Sequence, residues 1–442
     1  MQQQENYLGQ TVMGTTLVVI CLLWLFAIPE FDIGSFHFKR INILADIFKK
    51  DDKKVAVTDT AKAIKPVYAD TCKTGLTCIE DYSKDTSGMK PFLAALDSSK
   101  KHIVRIAWFA DSYVEGDIML DPLRDTLQAL FGGSGVGFVP ITSEVAGFRQ
   151  TVIHSYDNWT TYSIVGDRDN EHPLGFAGHC FVAEKGNKVS YRTITRKRLN
   201  EFPTTKIYYG NTEGGMLLVN DDSVNIKAGH RLQEVALNNA VTSLKLSVPP
   251  GNVMDLYGVE FESKTGISLD NFSMRGNSGT GLSYVKEEMY HDLDSIHHYD
   301  LVVLSYGLNV ASEKAKNYTW YIRGMNNTVA MIKRAFPHST ILLIGCSDRG
   351  AKIDGELQTM PGIKELIEVQ RQMAVNNGIC FWNLFEAMGG DSTMVSWAGM
   401  EKHAYANKDY THLTFYGGKK VADIFLGTLL YEKEKYDRKK KY

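Results

Sequence analysis

IVRIAWFADSYVEGDIMLDPLRDTLQALFGG, residues 103–133, decides how the rest of the chain is read. Its opening run, IVRIAWFA, is apolar, β-branched and aromatic, which predicts a buried strand. A polar turn follows, and LDPLRDTLQALF then carries a helical pattern closed by Gly132-Gly133. Strand, loop and helix in that order begin an α/β sheet.

The same alternation returns after residue 300. DLVVLSYGLN (300–309) reads as strand then loop, TWYIRGMNNTVAMIKRAF (319–336) as an amphipathic helix, and STILLIGCSD (339–348) as a buried strand. IKELIEVQRQMAVNN (363–377), ICFWNLF (379–385) and FYGGKKVADIFLGTLLY (415–431) continue as helix, strand and terminal helix. Such a series predicts a parallel, doubly wound sheet whose site lies at the C-terminal ends of its strands. Between about 148 and 263 the period changes to two, in HCFVAE, KVSYRTI, TKIYYG, GMLLVN, SLKLSV and MDLYGVEF. Short alternating runs without a helix predict an all-β sandwich inserted into the α/β domain. Its aromatics Trp159, Tyr162, Tyr191, Tyr208 and Tyr209 are of a type that stacks on sugar rings, but cross-strand packing is the commoner use.

The 442 residues are 44% apolar and 23% charged, the balance of a chain that buries a core. Disordered, collagen-like and multi-span transporter chains are excluded. With 49 Lys+Arg against 51 Asp+Glu, the net charge of −2 gives no reason to expect a nucleic-acid partner. Thr11 to Ile28 contains no charge, and as a helix it would be about 27 Å long, enough for a single membrane span. No Lys or Arg precedes it, and no small-x-small exit follows, so it reads as an uncleaved signal anchor. The lysines after the span favour a cytoplasmic bulk. Cys72 and Cys78, six apart in TCKTGLTC, favour a local disulfide and an oxidising compartment. The expected organisation is a tail (1–10), a transmembrane anchor (11–29), a juxtamembrane linker (30–88), the α/β domain in two parts (89–148 and 266–432) around the sandwich (149–265), and a basic tail (433–442) in which Arg438 to Lys441 reads as a solvated end.

Four polar clusters follow strand ends or open the second half: FADSYVEGD with Ser112, MRGNSGTGL with Gly276, YGLNVAS with Asn309, and DYTHLTFYG with Asp409 and His412. A serine after a strand is usually a turn former. An Asp three residues before a His is more telling, because it can bind imidazole Nδ1–H and leave Nε2 free to take a hydroxyl proton. GGSGVG (132–137) lacks the Lys-Ser/Thr of a phosphate loop. His297-His298, near Asp292, Asp294 and Asp300, reads as an exposed helix end in preference to a zinc site.

Taken in order, the four clusters resemble the SGNH (GDSL-type) hydrolase superfamily, over roughly 100–148 and 266–430. The resemblance implies a three-layer, flavodoxin-like fold and a serine esterase with Ser112 as nucleophile, His412 as base and Asp409 as its orienter. The Ser112 and Gly276 N–H groups and the Asn309 amide would form the oxyanion hole, with no metal or organic cofactor. Ala110 and Val310 depart from the family's Gly and Asp. The first cluster followed by LRDTLQALFGGSGVGFVP, then a β-sandwich inserted before the glycine cluster, also resembles bacterial peptidoglycan O-acetylesterases and envelope acetyl-transfer enzymes, whose inserted domain is carbohydrate-binding-module-like. The implied substrate is an O-acetylated envelope glycan, met outside the cytoplasm. Two other readings stay open: an O-acetyltransferase supplied by a membrane-bound acyltransferase partner, and a non-catalytic glycan-binding protein.

Overall fold

The computed structural model of the protein describes residues 9, 11–18, 31–33, 36–38, 64–313 and 317–440. Two compact units divide at Ala63/Ile64. In the first, residues 11–18 are helical and Phe31–Ile33 pairs antiparallel with Phe36–Phe38. No helix among the described residues is long and apolar enough to cross a membrane. Of the expected span, residues 19–28 lie outside the described residues, as does most of the linker before 64.

The second unit is built on six strands: β1 (Glu80–Asp81), β2 (Ile103–Ala110), β3 (Gly266–Asn271), β4 (Leu301–Ser305), β5 (Thr340–Ile344) and β6 (Cys380–Trp382). Their spatial order is β3-β2-β4-β5-β6-β1. All neighbours are parallel except β1, which runs antiparallel on β6. LVVLS and TILLI are buried at every position, as strands covered by helices on both faces must be. The chain lays down β2, steps to β3 on one side, then returns to β4 on the other. That reversal opens a crevice between the C-terminal ends of β2 and β4, where α/β sheets bind ligands. Ser112 follows β2 and Asn309 follows β4.

The step from β2 to β3 carries the Leu120–Phe131 helix and then two antiparallel sheets. One runs Gln233–Leu237, Thr204–Gly210, Met254–Glu262, His179–Ala183, Thr160–Ser163; the other runs Asp222–Ile226, Gly215–Val219, Ser243–Ser247, Lys188–Arg192, Ile153–Tyr156. Their facing sides enclose Phe181, Tyr191, Leu217, Leu244 and Phe261. Ser243–Ser247 alternates out and in, as a strand with one wet face does. Thr204–Gly210 and Met254–Glu262 are buried along their whole length. Their outer faces contribute Tyr208 and Tyr257 to the core of the α/β layers.

Several details differ from expectation for identifiable reasons. The expected linker contains β1, because its Glu80 and Asp81 complete the sheet edge on Phe381 and Cys380. Gly137–Val139, expected in the first α/β segment, pairs with the sandwich strand Met254–Glu262. Residues 433–440 of the basic tail are the last turns of a helix running Phe415–Lys440: Arg438 to Lys440 are exposed as expected, whereas Lys433 and Lys435 are buried against carboxylates. Tyr191, Tyr208 and Tyr209 are core residues, the commoner use that the sequence reading gave them. Cys72 and Cys78, by contrast, are disulfide-bonded as expected. His297 is buried, not an exposed helix end. It joins Lys206 (3.0 Å) and Tyr208 (2.7 Å) in an ionic seam between sandwich and sheet. There Arg105 of β2 also pairs with Glu262 at 2.7 Å.

Candidate active site

The turn after β2 presents Ser112. Asp111 makes that turn: its carbonyl accepts from Val114 and Glu115 N–H at 3.2 Å each, and its Oδ1 accepts from Tyr113 N–H at 3.0 Å. Ala110, where the resemblance leads one to expect glycine, ends β2 and is not among the residues with positive φ, so a side chain is tolerated.

His412 arrives on a loop tied to the start of the terminal helix. Thr414 Oγ1 accepts from Gly417 N–H at 3.2 Å, capping that helix. A Cβ on Gly417 would lie 1.8 Å from the Tyr405 carbonyl oxygen, and one on Gly418 2.2 Å from that of Ile118. Only glycines let the helix approach the loop that carries Ser112. Tyr410 takes φ 54°, folding Asp409 back onto its own loop. Asp409 Oδ1 then accepts from Thr411 N–H (2.9 Å) and His412 N–H (3.0 Å), and Oδ2 meets His412 Nδ1 at 2.7 Å. His412 Nε2 lies 3.0 Å from Ser112 Oγ. With Nδ1–H donating to Asp409, Nε2 accepts from the serine hydroxyl. Partial burial works to raise the Asp409 pKa, but the His412 N–H, its imidazole and the Thr411 N–H together hold it below the ordinary value. The His412 side chain is 38% exposed, so substrate and water can reach the relay.

Gly276 and Asn309 reach the same place. Beyond β3 the ladder continues, with Phe272 N–H bonded to Trp108 O and Met274 N–H to Ala110 O, both at 2.9 Å, carrying Gly276 alongside the Ser112 turn. Asn309 Nδ2 donates to Asp111 Oδ2 (3.1 Å) and Asn277 O (3.0 Å), bridging the serine and glycine segments. Among the described residues, the N–H groups of Ser112 and Gly276 have no protein acceptor. Val310 is buried and its N–H bonds to Gly307 O, so packing and backbone hold this loop.

Sequence reasoning passed over Asp111, although it stands inside the ADS cluster. Burial pushes its carboxyl up to about 6, against the Tyr113 N–H, the His412 charge and the Asn309 amide. Also passed over was the ion pair between Arg275 and Glu115 (2.8 Å), which has no spacing signature. Both line a cleft of about 290 Å³ between the sandwich and β3, with Ser143, Arg149, His154 and Ser163.

Ser112, Asn309 and the Asp409–His412 pair thus stand together at the strand ends of the six-stranded sheet, with Gly276 on the adjoining segment. The chain is similar in fold to a peptidoglycan O-acetylesterase: 23% identity, 81% of this chain and 99% of that one covered, TM-score 0.68. Weaker similarities include an acetyl xylan esterase from Geobacillus stearothermophilus (18% identity, 37% and 73% covered, TM-score 0.27). A family two carbohydrate esterase from Cellvibrio japonicus is another (10% identity, 64% and 99% covered, TM-score 0.26). No family model matches the sequence, and no curated protein does.

Proposed function

We propose that the protein is a serine esterase removing O-acetyl groups from a cell-envelope polysaccharide such as peptidoglycan. The observation that carries this is the relay from Ser112 through His412 to Asp409, at 3.0 and 2.7 Å, at the switch point of a parallel sheet. His412 takes the Ser112 proton as Oγ attacks the acetyl carbonyl. The negative oxygen is met by the unpaired N–H groups of Ser112 and Gly276. Asn309 joins them by giving up one of its two present bonds. His412 then protonates the departing sugar hydroxyl, and water, activated by the same imidazole, resolves the acetyl-enzyme.

The fold shared with a peptidoglycan O-acetylesterase supports the glycan ester as substrate. In this reading the sandwich and its polar cleft hold the glycan. Residues 11–29 anchor the chain, and the Cys72–Cys78 bond supports a site outside the cytoplasm.

The test is acetate release from O-acetylated peptidoglycan by the wild type and by Ser112→Ala. Serine-dependent release is expected. Equal release by the variant, or none by either, overturns the reading, and acetyl transfer to an added oligosaccharide at the expense of hydrolysis would replace it with a transferase.

A further inference from the structure

A second His–carboxylate pair lies in the sandwich. His172 Nδ1 is 2.7 Å from Asp255 Oδ1, and Cys180 completes a cluster whose ligand atoms all lie within 4.8 Å of one another. The strands explain the convergence. Asp255 stands opposite Val182 in the antiparallel ladder, so Cys180, two residues on, shares its face as a diagonal neighbour. His172 comes from the loop between the Thr160–Ser163 and His179–Ala183 strands and is stacked on Tyr162, with ring centroids 5.4 Å apart. Asn211 Nδ2 donates to Asp255 Oδ2 at 2.7 Å and fixes the carboxylate from behind. A second observation is independent of this geometry. The Tyr257 hydroxyl, on the Asp255 face of the same strand, is buried and has no hydrogen-bond partner among the described residues. Leaving such a group unpaired is costly, which points to a ligand beside it.

We propose that His172, Cys180 and Asp255 bind a zinc ion, with water as fourth ligand and Tyr257 as that water's hydrogen-bond partner. Nitrogen, thiolate and carboxylate are zinc's donor set; tetrahedral bonding places donors roughly 3.5 Å apart, so side-chain shifts of about 1 Å complete the site. Cys180 gives its thiol proton to solvent as the Zn–S bond forms. The ion is structural, because Cys180 and Asp255 are fully buried. It pins a loop whose Ile164 packs where a Cβ on Gly281 would lie, 2.3 Å away, and whose Gly178 lies against Met274. These contacts bracket Gly276, so the ion steadies the segment that offers the oxyanion N–H.

The experiment uses the untagged full chain, dialysed against metal-free buffer. Elemental analysis is expected to find one zinc per chain, and cobalt exchange to give a near-ultraviolet thiolate charge-transfer band. Saturating zinc should raise Tm by roughly 5 °C or more over the chelated protein. Cys180→Ser should lose the band, and His172→Ala, at a partly exposed position, should weaken zinc binding at least about tenfold. Folded wild type with no retained metal and no band overturns the proposal, as does an undiminished band in Cys180→Ser. Should the variants not fold, wild-type stoichiometry and the Tm shift decide alone. None of these readouts depends on esterase activity.

Discussion

The molecule contains the same pair twice. His412 Nδ1 meets Asp409 and His172 Nδ1 meets Asp255, each at 2.7 Å, and each pair stands beside a potential nucleophile, Ser112 or Cys180. Their surroundings assign them different chemistry. The Ser112 relay sits at the mouth of a crevice, half open to solvent, beside backbone N–H groups with no acceptor. Cys180 is wholly buried in a strand, with no path for an acyl group. In the proposed reading one arrangement turns over an ester and the other holds a metal ion. A His–carboxylate pair is therefore a functional signal only together with its access and the donors around it.

The comparison breaks most sharply at the hydroxyl. Ser112→Ala or His412→Ala should lower kcat for acetyl ester hydrolysis by roughly 10⁴-fold or more, as removal of a triad member does elsewhere. A fall under tenfold in steady-state assays would make the exposed pair as inert as the buried one. Asn309→Ala is next. Losing one oxyanion donor costs roughly 10²–10³-fold in kcat with little change in KM, and a pure KM effect would show that the amide only bridges Asp111 and Asn277.

Asp111→Asn probes the buried carboxyl under the serine. Its pKa, raised to about 6, means that ionising it costs folded-state stability. The cost is absent below the unfolded value and complete above the folded one. Wild type should therefore lose about 2–3 kcal/mol relative to Asp111→Asn between pH 4 and pH 8, measured as the difference between their urea unfolding free energies. A constant difference across that range would refute the assignment. The smallest effect concerns how the His412 loop is delivered. Gly417→Ala places a Cβ against the Tyr405 carbonyl. It should cost about 1–3 kcal/mol of stability and lower kcat only as far as the His412 loop moves, read from paired thermal and kinetic measurements.

Some of this was open to reading along the chain. IVRIAWFA and the runs after residue 300 announced parallel strands because a sheet covered on both faces needs uninterrupted apolar segments. DYTH announced its own hydrogen bonds because they close within three residues. The zinc cluster was not legible, since 172, 180 and 255 carry no metal-ligand spacing. Nor was the edge strand Glu80–Asp81, two residues recognisable only by the strand they pair with.

Local periodicity and three-residue contacts thus determined β2, β4, β5 and β6, the helices beside them that the sequence pattern showed, and the Asp409–His412 pair before any folding was known. Tertiary structure alone decided that Ser112 meets His412 across 300 residues of chain, that Asp111 is buried and its carboxyl raised, and that Cys180 faces Asp255. Burial and long-range approach are properties of the packed sheet, and no local pattern of side chains encodes them.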